Sequence, residues 1–382
     1  MRIAIDARMM GPLNTRGIGR YVEELVRAML IEGPQNQFVL LARDPSTSPF
    51  LNHPNVEHIK ADIQWYTFQE QIKMPALLRQ ARADVVHIPH WNVPFLYREP
   101  FLVTIHDLLL RRQPFSAKIS TRHPFLAWLK FYAYRGLLRD VVSRAKLILV
   151  PTQFVRDEVR EFYSVSDDQL MVTGEGLSDF PPADASGIPS GKFLFYLGSA
   201  YPHKRLDLLL DSWTVLSKSH QDLQLVLAGE KDVFMQRHMT RVEQERLPRV
   251  FFPGRLPDSE LRGFLEHASL FVFPSSHEGF GLPPLEALSC NCPVVSSDAP
   301  CLREVLPKEA VFFFRNGDRD DMIRAIETVL GDLPAARAGA QRASQKVREQ
   351  WTWQTVARKT LSAYDQFFHA KKNGFRENKN RP

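Results

Sequence analysis

Short apolar runs alternate with longer amphipathic stretches along nearly the whole chain, and the alternation is interrupted once. In the first half the runs are Arg2–Asp6, Phe38–Ala42, Val85–Ile88, Phe101–Ile105 and Leu147–Val150. Pro, Asp or His bounds them, as at strands buried on both faces of a parallel sheet. Between them Tyr21, Val22, Leu25, Val26, Met29 and Leu30 recur at helical spacing, and a long amphipathic helix is expected near Pro124–Val142. Residues 173–191 (T-G-E-G-L-S-D-F-P-P-A-D-A-S-G-I-P-S-G) carry four glycines, three prolines and no apolar period, and read as a linker. Beyond them the runs resume at Phe193–Leu197, Leu223–Ala228, Val250–Phe252, Leu270–Phe273, Val294–Ser296 and Val311–Phe314, with helices expected at Leu206–Leu216, Leu261–His267 and Trp351–Phe368. Two blocks of βαβ units predict an α/β protein of two Rossmann-like, doubly wound domains facing a cleft. The expected boundaries are 1–172 and 192–350, with 351–370 as a C-terminal helix and 371–382 as a disordered basic tail.

Composition narrows the class. Of 382 residues 44% are apolar and 24% charged, which excludes wholesale disorder. No apolar run approaches the roughly 20 residues of a membrane span, and the chain opens straight into R-I-A-I-D, so no secretory leader is expected. Cys290, Cys292 and Cys301 form no disulfide framework, which fits a reducing cytoplasm. The net charge of +6 is unevenly spread: segment 111–146 carries +8, the tail 371–382 carries +4, and the remainder is negative. Such patches attract anionic partners. The helix near 124–142 reads either as core-packed with a solvated basic face or as a surface helix on anionic lipid. Nucleic acid is not expected, because no recognised module accompanies the patch.

The most informative segment is F-V-F-P-S-S-H-E-G-F-G-L-P-P-L-E-A-L. A strand ends at Pro274, a glycine turn follows, and Pro283 and Pro284 open a helix. Glu278 and Glu286 lie eight residues apart across the turn, with Glu286 expected in the first helical turn, where the dipole favours an anion. Either acid alone has an ordinary reading, as a solvated loop residue or a dipole partner. A glycine turn at a strand's carboxyl end can also offer its amides to a diphosphate.

E-G-F-G-L-P-P-L-E resembles the E-x7-E signature of retaining glycosyltransferases of the GT-B fold, family 4. The likeness extends along the chain: I-D-A-R-M-M-G-P-L-N-T-R-G-I-G-R-Y, T-I-H-D-L, V-P-T-Q-F-V-R-D-E-V, Y-L-G-S-A-Y-P-H-K-R-L and A-L-S-C-N-C-P-V-V-S-S-D are each similar to segments of that family. The resemblance implies that Glu286 holds the ribose hydroxyls of a sugar nucleotide, that Glu278 contacts the donor sugar near its anomeric centre, and that Lys204 neutralises the diphosphate. It places His106 on the donor sugar from the other domain, and gives Gly17 and Gly19 a close approach of the first loop to phosphates or acceptor. Backbone amides of Gly279, Phe280, Gly281 and Leu282 would complete the diphosphate site. Where relatives carry a second diphosphate arginine this chain has Ser199, and Arg205 or Arg255 would take its place. The C-terminal helix is expected to return toward the first domain.

Other signals stay open or read plainly. Asp318-Arg319-Asp320 spells a metal motif of the other glycosyltransferase fold but sits where a helix cap is expected. The three cysteines read as buried thiols around a strand. His87, His90 and Trp91 would line the acceptor side, with Trp91 either stacking on sugar or packing. The expected activity is retaining, metal-independent transfer of a hexose from a nucleoside diphosphate sugar, which is a co-substrate; no cofactor is expected. The acceptor would be a saccharide or lipid-linked saccharide, with the Y-P-H-K variant leaning toward mannose from GDP-mannose in bacterial surface-polysaccharide assembly. The expected location is cytoplasmic, at the cytoplasmic face of the inner membrane if segment 118–146 touches lipid. A GT-B sugar-nucleotide epimerase and a non-catalytic sugar-nucleotide or polysaccharide binding protein are the competing readings.

Overall fold

The computed structural model describes residues 1–11, 17–112 and 124–379, without the side chains of 124–130 and 371–379. In chain order its elements are β1 (Arg2–Asp6), α1 (Ile18–Glu32), β2 (Gln37–Ala42), β3 (Val56–Lys60), α2 (Phe68–Gln80), β4 (Val85–Ile88), β5 (Leu102–Thr104), α3 (Leu109–Arg112), α4 (Pro124–Arg144), β6 (Leu147–Val150), α5 (Gln153–Tyr163) and β7 (Leu170–Val172). There follow β8 (Lys192–Leu197), α6 (Leu206–Ser219), β9 (Leu223–Ala228), α7 (Val233–Gln244), β10 (Val250–Gly254), α8 (Asp258–His267), β11 (Leu270–Phe273) and α9 (Leu282–Ser289). The chain ends in β12 (Val294–Ser297), α10 (Pro300–Val305), β13 (Val311–Phe314), α11 (Arg319–Gly331), α12 (Leu333–Gln350) and α13 (Trp353–Lys379).

The chain divides into two compact units, one from Met1–Leu108, Ser120–Gly176 and Thr352–Pro382, the other mainly from Leu177–Trp351. Each is an all-parallel sheet with helices between its strands. The first sheet runs β3-β2-β1-β4-β5-β6-β7 and the second β10-β9-β8-β11-β12-β13. In both, the order reverses beside the unit's first strand: between β1 and β4, and between β8 and β11. At such a switch point the two flanking connections leave in opposite directions and open a crevice at the strands' carboxyl ends.

Central strands are the apolar runs, because helices cover both faces. Val85–Ile88 and Leu270–Phe273 are fully buried. Two strands of the first unit carry no such run. β3 (V-E-H-I-K) and β7 (L-M-V) are the two edges of their sheet, where one side or one face meets solvent.

α13 belongs to the first unit. Val356, Ala357, Leu361 and Tyr364 share an apolar cluster with Tyr21, Val22, Leu25 and Met29 of α1, and Tyr364 Oη lies 2.7 Å from Nδ1 of His87 in β4. The segment 371–382, expected as a disordered tail, continues this helix to Lys379. A helix already nucleated on packed turns extends at little further entropic cost, and no proline stops it. The expected linker is also anchored. The Asp184 amide donates to the Ser259 carbonyl at 3.0 Å, and Arg262 donates to the Pro181 carbonyl at 3.2 Å, so the middle of the segment is tied to α8, while Leu177 bonds to the Trp351 carbonyl and the Ser190 carbonyl accepts from Gln224 of β9. Among the described side chains of α4, Tyr134, Leu138, Val141 and Val142 are buried. Tyr132 of the same helix is exposed.

Candidate functional site

The second unit's crevice lies between the loops that leave β8 and β11. After β8 the chain makes a short turn over Pro202–Lys204, with proline at its first position, and Arg205 adopts a left-handed conformation that swings the chain into α6. After β11 it runs through Ser275–Gly281 into α9. The two loops are stitched together by one carbonyl: His203 O accepts from the Ser276 amide at 2.7 Å and from Ser276 Oγ at 3.0 Å. That stitch sets Lys204 Nζ 2.6 Å from Glu278 Oε1, both side chains more than four-fifths buried. Lys204 Nζ also sits 5.3 Å above the Phe273 ring.

Burial disfavours the charged form of Glu278, but the Lys204 ammonium, His203 and hydrogen bonds from Lys204 and Ser275 outweigh it and hold the carboxyl below its ordinary range. The crevice therefore holds an ionised carboxylate and an ammonium in mutual contact.

Gly281, the N-cap of α9, has φ 97°, a conformation L side chains rarely adopt, and an added Cβ would lie 2.5 Å from Leu302 Cδ2. Phe280 is buried with its ring edge-on to Trp351 at 5.0 Å. The helix starts at Leu282, so Glu286 falls in its second turn rather than its first. The expected dipole argument for Glu286 weakens accordingly, since that field fades within the first turn.

In the first unit, His106 follows β5. Its Nδ1 lies 3.1 Å from Glu175 Oε1, its Nε2 lies 3.0 Å from the Pro89 carbonyl, and the Tyr21 ring meets it edge-on at 4.6 Å. Both ring nitrogens face acceptors, which only the doubly protonated imidazolium satisfies. Burial lowers its pKa, but the hydrogen bond and charge of Glu175, the Pro89 carbonyl and Asp107 raise it beyond that, above the ordinary histidine value.

Two family models divide the chain between them. "Glycosyltransferase Family 4" matches residues 15–177 and "Glycosyl transferases group 1" matches residues 184–346. The chain belongs to the group 1, family 4 glycosyltransferases. Relatives of this glycosyltransferase include the O-antigen chain mannosyltransferase RfbU of Salmonella typhimurium, 27% identical over 65% of this chain and 65% of that one. The chain thus spans just under two thirds of that relative. O-antigen chain mannosyltransferase B of Escherichia coli is 25% identical over 91% of this chain and 95% of its own. The glycogen synthase of Mycobacterium tuberculosis is also 25% identical, over 95% and 94%. Among solved structures, the sucrose-phosphate synthase from Thermosynechococcus elongatus superposes with a TM-score of 0.75 at 20% identity, over 96% of this chain and 99% of that one. The fold is GT-B.

The glycosyltransferase brings some expected site residues together and separates others. Lys204 and Glu278 meet; Gly279, Phe280, Gly281 and Leu282 form the turn beside them, leading to Glu286. Ser199 follows β8, and its carbonyl accepts from Tyr196 Oη at 2.6 Å. Arg205 is exposed next to Lys204 in sequence, whereas exposed Arg255 follows β10, two strands from β8. Gly17 is the N-cap of α1, but Gly19, expected in the loop, is buried within that helix. Residues 12–16 of the first loop lie outside the described residues. His90 and Trp91 follow β4, while His87 is a core residue between Tyr364 Oη and Thr104 Oγ1 rather than a cleft residue. Trp91 packs, face to face with Tyr66 at 5.2 Å and edge-on to Tyr134 at 4.8 Å. Asp318 caps α11, accepting from the Asp321 amide at 2.9 Å, and the three cysteines are buried free thiols.

Sequence reasoning missed Glu175, Tyr66 and the buried Asp6–Arg8–Glu70 group. Glu175 was within reach, as a lone acid between two glycines of a linker that otherwise carries turn residues.

Proposed function

We propose that the protein transfers a hexose, with retention and without a metal, from a nucleoside diphosphate sugar to a saccharide or lipid-linked saccharide. The observation that carries this reading is the Lys204–Glu278 pair at the switch point of the second unit. In the free protein Glu278 holds the Lys204 ammonium in place. An arriving diphosphate takes that ammonium over, and Glu278 is released toward the sugar at its anomeric centre. As the glycosidic bond breaks, positive charge grows on the sugar and negative charge on the leaving phosphate oxygen. Lys204 and the amides of the Gly279–Leu282 turn stabilise the latter. The leaving phosphate accepts the acceptor's proton, so neither a covalent nucleophile nor a cofactor is required. Glu286 holds the ribose.

Mannose from GDP-mannose is the donor we favour, supported by the Y-P-H-K turn and the mannosyltransferases among the relatives. We place the work at the cytoplasmic face of a membrane, where the basic segment 118–146, with exposed Tyr132 and Arg139, meets anionic lipid. No helix among the described residues is long and apolar enough to cross a membrane.

A thermal-shift panel of nucleoside diphosphates and their sugars tests the donor. A ligand at a hundred times its Kd stabilises the folded state by about 2.7 kcal/mol. Selective stabilisation by GDP and GDP-mannose is expected, and a response to UDP compounds alone would overturn the choice of base. Lys204→Ala and Glu278→Ala should each lower transfer by roughly 10²–10³-fold with circular dichroism unchanged. Full activity in either variant would remove the mechanism. Flotation with vesicles of phosphatidylglycerol, against phosphatidylcholine alone, tests the lipid contact.

A further inference from the structure

The sheet of the first unit has its own switch point, between β1 and β4, and the protein fills it from within. Arg8, following β1, is 1% exposed and bonds to both Asp6 oxygens and to Glu70 Oε1. A cavity of about 10 Å³ lies among Arg8, Trp65, Pro89, His90 and Asn92, room for about one water. Bonded to this group through Glu70 and His90 is Tyr66, 54% exposed.

Four constraints converge on that ring. Its backbone is left-handed, at φ 63°, a strained conformation for a bulky residue. Its amide donates to Glu70 Oε2 at 2.8 Å, so the Arg8 network fixes the strained segment. Its hydroxyl lies 2.6 Å from His90 Nε2. The other nitrogen of that ring is buried without a hydrogen-bond partner among the described residues, so the described hydrogen bonding of His90 goes to Tyr66. One face of the Tyr66 ring lies on Trp91 at an interplanar angle of 26°. An exposed side chain normally keeps its rotamer freedom, whereas this one is held in plane, tilt and height. Such orientation gains nothing with an alkyl chain, which has no plane to match, and much with a flat ring that has an apolar C–H face and a polar rim.

We propose that Tyr66, backed by Trp91 and fixed by His90, is a stacking platform for a pyranose ring of the acceptor, and so a determinant of acceptor choice. This rests on the saccharide acceptor of the proposed function. Of the two readings open for Trp91, stacking on sugar or packing, the second holds: it is the support beneath the Tyr66 ring.

The test uses the full chain and a panel of methyl glycosides of mannose, glucose, galactose, rhamnose and N-acetylglucosamine, read by saturation-transfer NMR. At least one glycoside should receive saturation through its ring C–H protons. Tyr66→Ala should weaken that binding by roughly tenfold, while Tyr66→Phe and Tyr66→Trp retain it. The thermal shift given by nucleoside diphosphates should be the same in all four proteins. Absence of any glycoside signal in the wild type, undiminished binding in Tyr66→Ala, or loss of vesicle flotation in Tyr66→Ala in place of glycoside binding would each overturn the proposal. If glycosides bind at Tyr66 but no sugar nucleotide binds or turns over, the platform stands and the transferase reading falls.

Discussion

Arg8 shows how little a single residue type says about its role. Its guanidinium lies between two carboxylates in the interior, 2.7 Å from Asp6 and 2.6 Å from Glu70, and Asn92 donates to the same Glu70 oxygen at 2.7 Å. Removing the cation leaves two buried anions facing each other, which is far worse than losing one hydrogen bond. Arg8→Met should therefore destabilise the protein by roughly 3–5 kcal/mol in urea unfolding, and Arg8→Lys should recover little, because an ammonium cannot span both partners. A loss under 1 kcal/mol would show that the network carries no net stability. The residues themselves stand in I-D-A-R, quoted above only as a likeness, and Glu70 is 62 positions away. What a sequence leaves unsaid is that pairing in space. Lys204 and Glu278, 74 positions apart, were each nominated by a motif, yet only the His203 carbonyl stitch explains why they touch.

At the scale of elements, the segment after β7 joins the loop after β5 through Glu175 and His106, and this gives stability a pH dependence. The raised pKa of folded His106 means that its contribution is complete below the unfolded value of about 6.5 and is lost as pH climbs through the folded value above it. His87 works in the opposite sense. Burial, with His106 nearby, pushes it down to about 3, so its contribution is lost as pH falls below about 6.5. Comparison with Glu175→Gln isolates the first effect. The melting temperature of the wild type should exceed that of the variant near pH 6, and the gap should shrink as pH rises through the folded value. A constant gap would mean that His106 is not charged in the folded state. The elements themselves were legible where helices bury both faces of a strand, as at Val85–Ile88. They were illegible at β3 and β7, whose edge positions leave polar residues or too short a run. The misplaced turn of Glu286 has a similar origin, since Leu282 rather than Pro283 opens the helix, and apolar periodicity does not register a shift of one residue.

At the scale of the molecule, the alternation of strand and helix signals, broken once, was enough to give two doubly wound units, because parallel sheets admit few other connections. The division between the units was less plain. The break falls inside the segment read as a linker, whose middle is bonded to α8. The first unit also reclaims α13, whose Tyr364 and Leu361 fill its core. A fragment ending at Gly176 should accordingly lack a cooperative urea transition, whereas residues 177–351 alone should unfold in a single step. A cooperative transition in the shorter fragment would show that α13 is dispensable to that core.

The discontinuity orders events during synthesis. Residues emerge from the ribosome at roughly 5–20 per second and domains tend to fold as they appear. Here the half made first stays incomplete, its α1 lacking the apolar cover of α13, until the half made second has emerged and the chain has grown past Tyr364. Of the two units, the one nearer the N-terminus thus closes after the other, and its unshielded α1 face is what a nascent-chain chaperone would meet in the interval.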